Sequence, residues 1–135
     1  MRNEKVNYVA VIVAAVLCQI IGFLWYSPFL FGPRWMALVG KSAEELKSDG
    51  ALPYVCAILG SLLISFVLAK IIYATHSNTV GQGIATGFII WLGFIFPVIC
   101  IINIFAGRAF ELTLINAGHF LADMLVAGGV LAVFR

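Results

Sequence analysis

Charge is what this sequence has least of. Asp, Glu, Lys and Arg together make up 10% of its 135 residues, against 63% hydrophobic residues and a mean hydropathy of +1.09. Soluble domains carry about 25% charged residues, so the scarcity excludes an ordinary water-soluble fold and puts the chain in a lipid bilayer. The basic residues stand singly and the formal net charge is only +2, which leaves neither a nucleic-acid footprint nor a polybasic cluster for anionic lipid. Cysteine is equally sparse. Cys18, Cys56 and Cys100 lie apart in apolar runs, with no Cys-x-x-Cys pair and no histidine at ligand spacing, so no metal site is implied and the three read as small core residues. Nothing in the pattern calls for a cofactor. Leu17-Cys18 lacks the small residue that a lipoprotein signal needs before its cysteine, and the first helix is expected to be retained.

Long apolar runs are what the chain does have. A spanning helix takes about 20 apolar residues, so four crossings consume nearly the whole chain and leave no room for a soluble catalytic domain. The spans fall at about 6–25, 51–73, 80–105 and 112–134. The first ends at Trp25-Tyr26-Ser27-Pro28, where two aromatics suit the headgroup level and Pro28 disfavours helical geometry in the residue before it. In the long connection, Gly32 to Val39 has a proline where a helix can start and mostly apolar residues after it, which predicts a short helix on the membrane surface. Ser42-Ala43-Glu44-Glu45 fits a capping box, and Gly50 a helix stop. The third span opens with Gly83-x-x-x-Gly87, a spacing that lets helix backbones approach closely. Pro97, well inside that span, removes the amide that would bond to the Gly93 carbonyl, and a kink is expected near Gly93. The fold class these runs predict is an all-α membrane protein, a single domain of four transmembrane helices in an antiparallel bundle with a short interfacial helix between the first and second.

The densest group of polar side chains embedded in apolar sequence falls between Asn116 and Asp123. His119 and Asp123 are four apart and Asn116 is three before the histidine, so a helix places all three on one stripe. Asp123 lies near the centre of its span, where an ionised carboxylate costs roughly 2.5 to 3.5 kcal/mol and needs a partner, a water or a proton. His119 is the obvious partner. Counted from the middle of each run, Gln19, Pro97 and His119 lie roughly 6 Å toward the side carrying the long connection, with Asn103 and Asn116 farther out. In a compact antiparallel bundle, Gln19, Asn103, Asn116, His119 and Asp123 form a polar layer that is the candidate ligand or ion pathway. It opens toward Trp25, Tyr26 and Trp35, a candidate binding surface. Each of these has a structural reading beside the functional one: the pair satisfying itself, the amides bridging helices, the aromatics forming an interfacial belt. Trp91, Ser61 and Ser65 read as packing residues.

Trp25-Tyr26-Ser27-Pro28 followed by Phe31-Gly32 and Trp35, with Ile115-Asn116-Ala117-Gly118-His119 later, resembles a family of small bacterial membrane proteins known as domain of unknown function 1761. The resemblance covers nearly the whole chain. It implies four membrane helices and no particular activity.

Three classes of function make different demands. A proton- or ion-coupled transporter or channel needs a route, which four helices supply poorly alone but a homo-oligomer lined by His119 and Asp123 supplies well. A membrane accessory or scaffold protein needs only faces for partner helices. An enzyme needs nucleophile, base and electrophilic stabiliser converging, and no such set is legible here. Orientation is balanced by charge: Arg2, Lys5, Lys70 and Arg135 stand on the terminal side, Arg34, Lys41, Lys47 and Arg108 on the other. Either the chain inserts both ways, or Arg2 and Lys5 beside the first helix hold both termini in the cytoplasm of a bacterial cell. The second is preferred because the first helix usually sets orientation.

Overall fold

The computed structural model describes residues 6–135. Arg2 and Lys5, on which the orientation reading leans, lie outside the described residues. Helix α1 (Tyr8–Trp25) opens at Asn7, whose side-chain oxygen accepts from the Ala10 N–H and so satisfies one of the first-turn amides. The same side chain donates to the Phe134 carbonyl, joining the starts and ends of the described chain. After α1 the chain folds into a tight turn in which Phe31 N–H reaches the Trp25 carbonyl at 3.0 Å and Gly32 N–H reaches that of Ser27 at 3.1 Å. Only glycine fits at 32, because a Cβ there would press on the Tyr26 carbonyl oxygen and stand 2.8 Å from that of Ser27. Gly32→Ala is therefore expected to lower stability by about 1–3 kcal/mol, the usual range for overpacking. The thermal midpoint in detergent micelles reads this, with Gly60→Ala as a control that meets nothing within 4 Å.

Helix α2 (Gly32–Val39) follows directly and ends at Gly40, which takes the left-handed conformation at φ 75°. Helix α3 (Ala43–Ser48) is capped by Ser42, whose hydroxyl oxygen accepts from Glu45 N–H at 3.2 Å. Helix α4 (Leu52–Ala74) is joined by a short polar link to α5 (Val80–Ile90), capped in turn by Thr79. A π-helical segment, Trp91–Ile95, separates α5 from α6 (Phe96–Phe105), and α7 (Phe110–Val133) completes the chain. The π segment sits where Pro97 acts. Proline has no N–H to give the Gly93 carbonyl and its ring crowds that turn, and the helix there is wider, with Phe96 N–H bonding to the Trp91 carbonyl five residues back.

Among the described residues, four helices are long and apolar enough to cross a membrane: α1, α4, the continuous stretch Val80–Phe105, and α7. The protein is a membrane protein. The fourth span starts at Phe110, two residues before the expected boundary, because Ala109 is already extended at ψ 142°. Helix α7 is the centre. Of its most apolar stretch 44% is buried, against 28% for α1, 22% for α4 and none for the third span, and it packs against α1, α4, α5 and α6. The core runs through Ala10, Ala14 and Cys18 of α1, Leu68 and Ile72 of α4, and Met124, Ala127 and Leu131 of α7. Small residues on α1 let the three helices meet closely, as expected where lipid supplies no hydrophobic drive between helices. Of the cysteines only Cys18 is buried; Cys56 is exposed and Cys100 half-buried, so the core reading holds for the first alone.

Candidate functional site: a buried histidine and aspartate on α7

His119 and Asp123 occupy successive turns of α7, with His119 Nε2 standing 3.2 Å from Asp123 Oδ2. The side chains are 13% and 7% exposed. The atoms are close but off the hydrogen-bonding line. Among the described residues, His119 Nε2 and Asp123 Oδ1 are two of three buried side-chain polar atoms without a hydrogen-bond partner, the third being Ser65 Oγ on α4. Unbonded polar atoms at this depth are costly, which makes the pair a place where a proton or water has something to gain.

The pair is walled by α1. The His119 ring stands next to Gly22, where an added Cβ would come within 3.1 Å of Nε2. Cys18, one turn earlier, brings its Sγ to 3.9 Å from the Asp123 carbonyl. At the end of α1, Tyr26 O–H donates to Asn116 Oδ1 at 2.8 Å, and its ring meets the His119 imidazole edge-on at 5.2 Å. Burial, and then the nearby Asp123 charge, push the Tyr26 phenol above its ordinary pKa, so it remains a protonated donor. Trp35 of α2 also meets Tyr26, at 5.8 Å and again edge-on.

Two indoles hold the α7 backbone at this level. Trp25 Nε1 donates to the Ile115 carbonyl at 2.9 Å, and Trp91 Nε1, from the π segment, to that of Ala117 at 2.8 Å. Gly118 leaves room for the Trp25 ring, which a Cβ would meet at 3.0 Å. Trp91, expected as a packing residue, does pack against the buried core, and it donates to the α7 backbone as well. The signal available was chemical: an indole N–H inside a membrane span has to find an acceptor.

The expected polar layer is thus divided. Asn116, His119, Asp123, Tyr26, Trp25 and Trp35 come together. Gln19 instead turns to α4, donating to Ser61 Oγ at 2.6 Å and to the Ala57 carbonyl at 3.1 Å. Asn103 donates to Thr113 Oγ1 at 3.0 Å, tying α6 to the first turns of α7. Both amides bridge helices and neither hydrogen-bonds to the pair. Gly93 and Pro97 flank the site only indirectly, through the π segment that presents Trp91.

A polytopic helical membrane protein with a histidine and a carboxylate buried in its central helix is the class that fold and site define. Residues 9–132 match the family described as Protein of unknown function (DUF1761), and the chain belongs to that family. No curated protein and no solved structure matches it.

Proposed function

We propose that the protein is a proton-coupled transporter or channel in which Asp123 and His119 carry the exchangeable proton. The carrying observation is the pair itself: two ionisable groups 3.2 Å apart on the most buried helix, each with an unbonded polar atom. A proton asks for one lone pair, whereas Mg²⁺ takes about six oxygen ligands and Ca²⁺ six to eight. The pair has four side-chain polar atoms, fewer than either ion takes. Among the described residues no three His, Cys, Asp or Glu side chains are grouped to hold a metal ion. Among the described residues, the other titratable groups that meet the pair are Cys18 of α1 and Tyr26 just after its end. On α4, Lys70 lies over the Phe66 ring and Tyr73 beneath Arg135. A homo-oligomer would supply the remainder of the route that four helices lack.

This reading takes the spans as an antiparallel bundle in a bacterial cytoplasmic membrane, with α2 in the interface. Short links between α4 and α5 and between α6 and α7 support the alternation, and the half-buried Trp35, Met36, Leu38 and Val39 of α2 against its exposed Pro33, Arg34 and Ala37 support the interfacial placement. With both termini cytoplasmic, a reporter active only in the cytoplasm gives full signal at either terminus. A half signal, with matching half protection of a cysteine placed at Ser48, would instead mean dual insertion.

The test of function is proton flux in liposomes containing the purified protein. Acidification driven by an imposed gradient, above that of protein-free vesicles, supports the proposal, and its absence together with a stoichiometric co-purified membrane partner supports the alternative. That alternative, a non-catalytic accessory protein binding partner helices, is favoured by one feature. An apolar crevice of about 280 Å³ opens between α4 and the third span, lined by Leu63, Val67, Ile71, Ile90, Ile95 and Met124.

A further inference from the structure

Helix α2 is fastened to the α7 side of the molecule at both of its ends. Near its start, Arg34 forms a two-pronged ion pair with Glu111 in the first turn of α7, Nε to Oε1 at 2.7 Å and Nη2 to Oε2 at 2.6 Å. At its end, the Val39 carbonyl accepts from Arg108 Nη1 at 3.4 Å, in the connection that leads into α7, where a cation also suits the negative end of the helix dipole. Between the two fastenings Trp35 rests edge-on against Tyr26, and Tyr26 edge-on against His119. The chain enters α2 through the glycine-dependent turn at Gly32 and leaves it through left-handed Gly40.

The contrast in exposure gives this arrangement its meaning. The Arg34 and Glu111 side chains are 56% and 47% exposed, so water and salt reach the fastening, while the groups behind it are nearly sealed. Paired planar forks are the strongest form of such a contact, yet an exposed ion pair is easily exchanged for water. The Glu111 carboxylate raises the Arg34 pKa, first through the hydrogen bonds and then through its charge, so the arginine end is always cationic. What fastens the two ends of α2 is therefore electrostatic and at the surface, beside the half-buried apolar face of the helix, and what it covers is aromatic and then ionisable.

We infer that α2 is a releasable strap that controls access to the His119–Asp123 pair, with Arg34–Glu111 as its latch and Trp35 and Tyr26 as the plug. This regulates the site on which the proposed function rests, but its test needs no transport. The probe is diethyl pyrocarbonate, which acylates accessible imidazole nitrogen, applied to the full-length protein in liposomes made permeable to the reagent. Mass spectrometry of the two histidine-containing peptides follows His119, with exposed His76 as the internal standard. His119 in the unaltered protein reacts far more slowly than His76. Glu111→Gln or Arg34→Gln speeds His119 by about 3-fold or more, the scale on which an exposed pair shifts an opening equilibrium. High salt does the same, and the charge exchange Arg34→Glu with Glu111→Arg restores slow reaction. Trp35→Ala, which loosens the plug and leaves the latch, also speeds His119. Circular dichroism and the thermal midpoint accompany each variant, so that faster labelling with intact helix content separates release of the strap from unfolding. Unchanged His119 labelling in both single variants and in Trp35→Ala overturns the strap, whatever the flux assay finds. Faster labelling in a protein that moves no protons leaves the strap standing and removes the transport reading.

Discussion

Gly87→Val should part α5 from α7 and sharply lower stability. The two helices touch backbone to backbone. A Cβ at Gly87 would overlap the Met124 carbonyl, and one at Gly83 would overlap the Gly128 carbonyl and stand 2.6 Å from the Ala132 Cβ. Gly128 in turn meets the Gly83 carbonyl, so a small residue is needed on both sides. Backbone cannot yield as a flexible side chain does, and overpacking already costs about 1–3 kcal/mol where side chains can move, so about 3 kcal/mol or more is expected here. Gly83→Leu should behave alike. Gly93→Ala, which meets nothing within 4 Å, should leave stability almost unchanged. Thermal unfolding in micelles, followed by circular dichroism, checks the series. Equal midpoints for Gly87→Val and Gly93→Ala would mean that α5 and α7 do not meet this way in the membrane.

The second large effect is a split one. Asp123→Asn should reduce proton flux in liposomes by about 100-fold, the low end of what a positioned acid or base contributes, while stability holds or rises. The two readouts diverge for a physical reason. A carboxyl buried without full hydrogen bonding is a poor contributor to folding, since desolvation opposes what its neighbour returns, and asparagine keeps the size without the charge. Proton exchange, by contrast, needs both members of the pair in the proposed route, and once the carboxyl is gone His119 has no acidic partner to hand the proton to. The comparison should run from about pH 5 to 9, the window in which a coupled histidine and carboxylate titrate. Flux that survives in Asp123→Asn across that window would sink the functional reading. A fall in stability as large as the fall in flux would mark Asp123 as a structural group.

Polar residues show where sequence reasoning reached and where it stopped. Asn116, His119 and Asp123 were legible as one stripe because the 3.6-residue period alone decides that they share a helix face. Gln19 and Asn103 looked equivalent to them by depth, but depth does not say which neighbouring helix a side chain faces. Gln19 faces Ser61 and Asn103 faces Thr113. The packing role of Trp91 is legible in the sequence, but its hydrogen bond is not. Its acceptor lies 26 residues away on another helix, a contact that no local pattern encodes. The strap was half visible: Pro33 after Gly32 announced a helix, but Arg34 and Glu111 are 77 positions apart and carry no common motif.

By itself the sequence determined what depends on composition and on local geometry. A chain so poor in charge must satisfy its backbone internally and bury itself in lipid, so helices of spanning length follow from hydropathy alone. Gly83 and Gly87 announced a close helix approach, and Pro97 a disturbed turn, because backbone sterics act within a few residues. Only the tertiary structure decided which surfaces meet. Apolar side chains are interchangeable to lipid, so hydropathy gives no preference among the ways four such helices can pack. That choice is made by small contacts at particular positions, the glycines of α5 on the backbone of α7 and the indoles of Trp25 and Trp91 on its carbonyls. Those contacts bury α7 most deeply of the four spans, and with it the histidine and the aspartate.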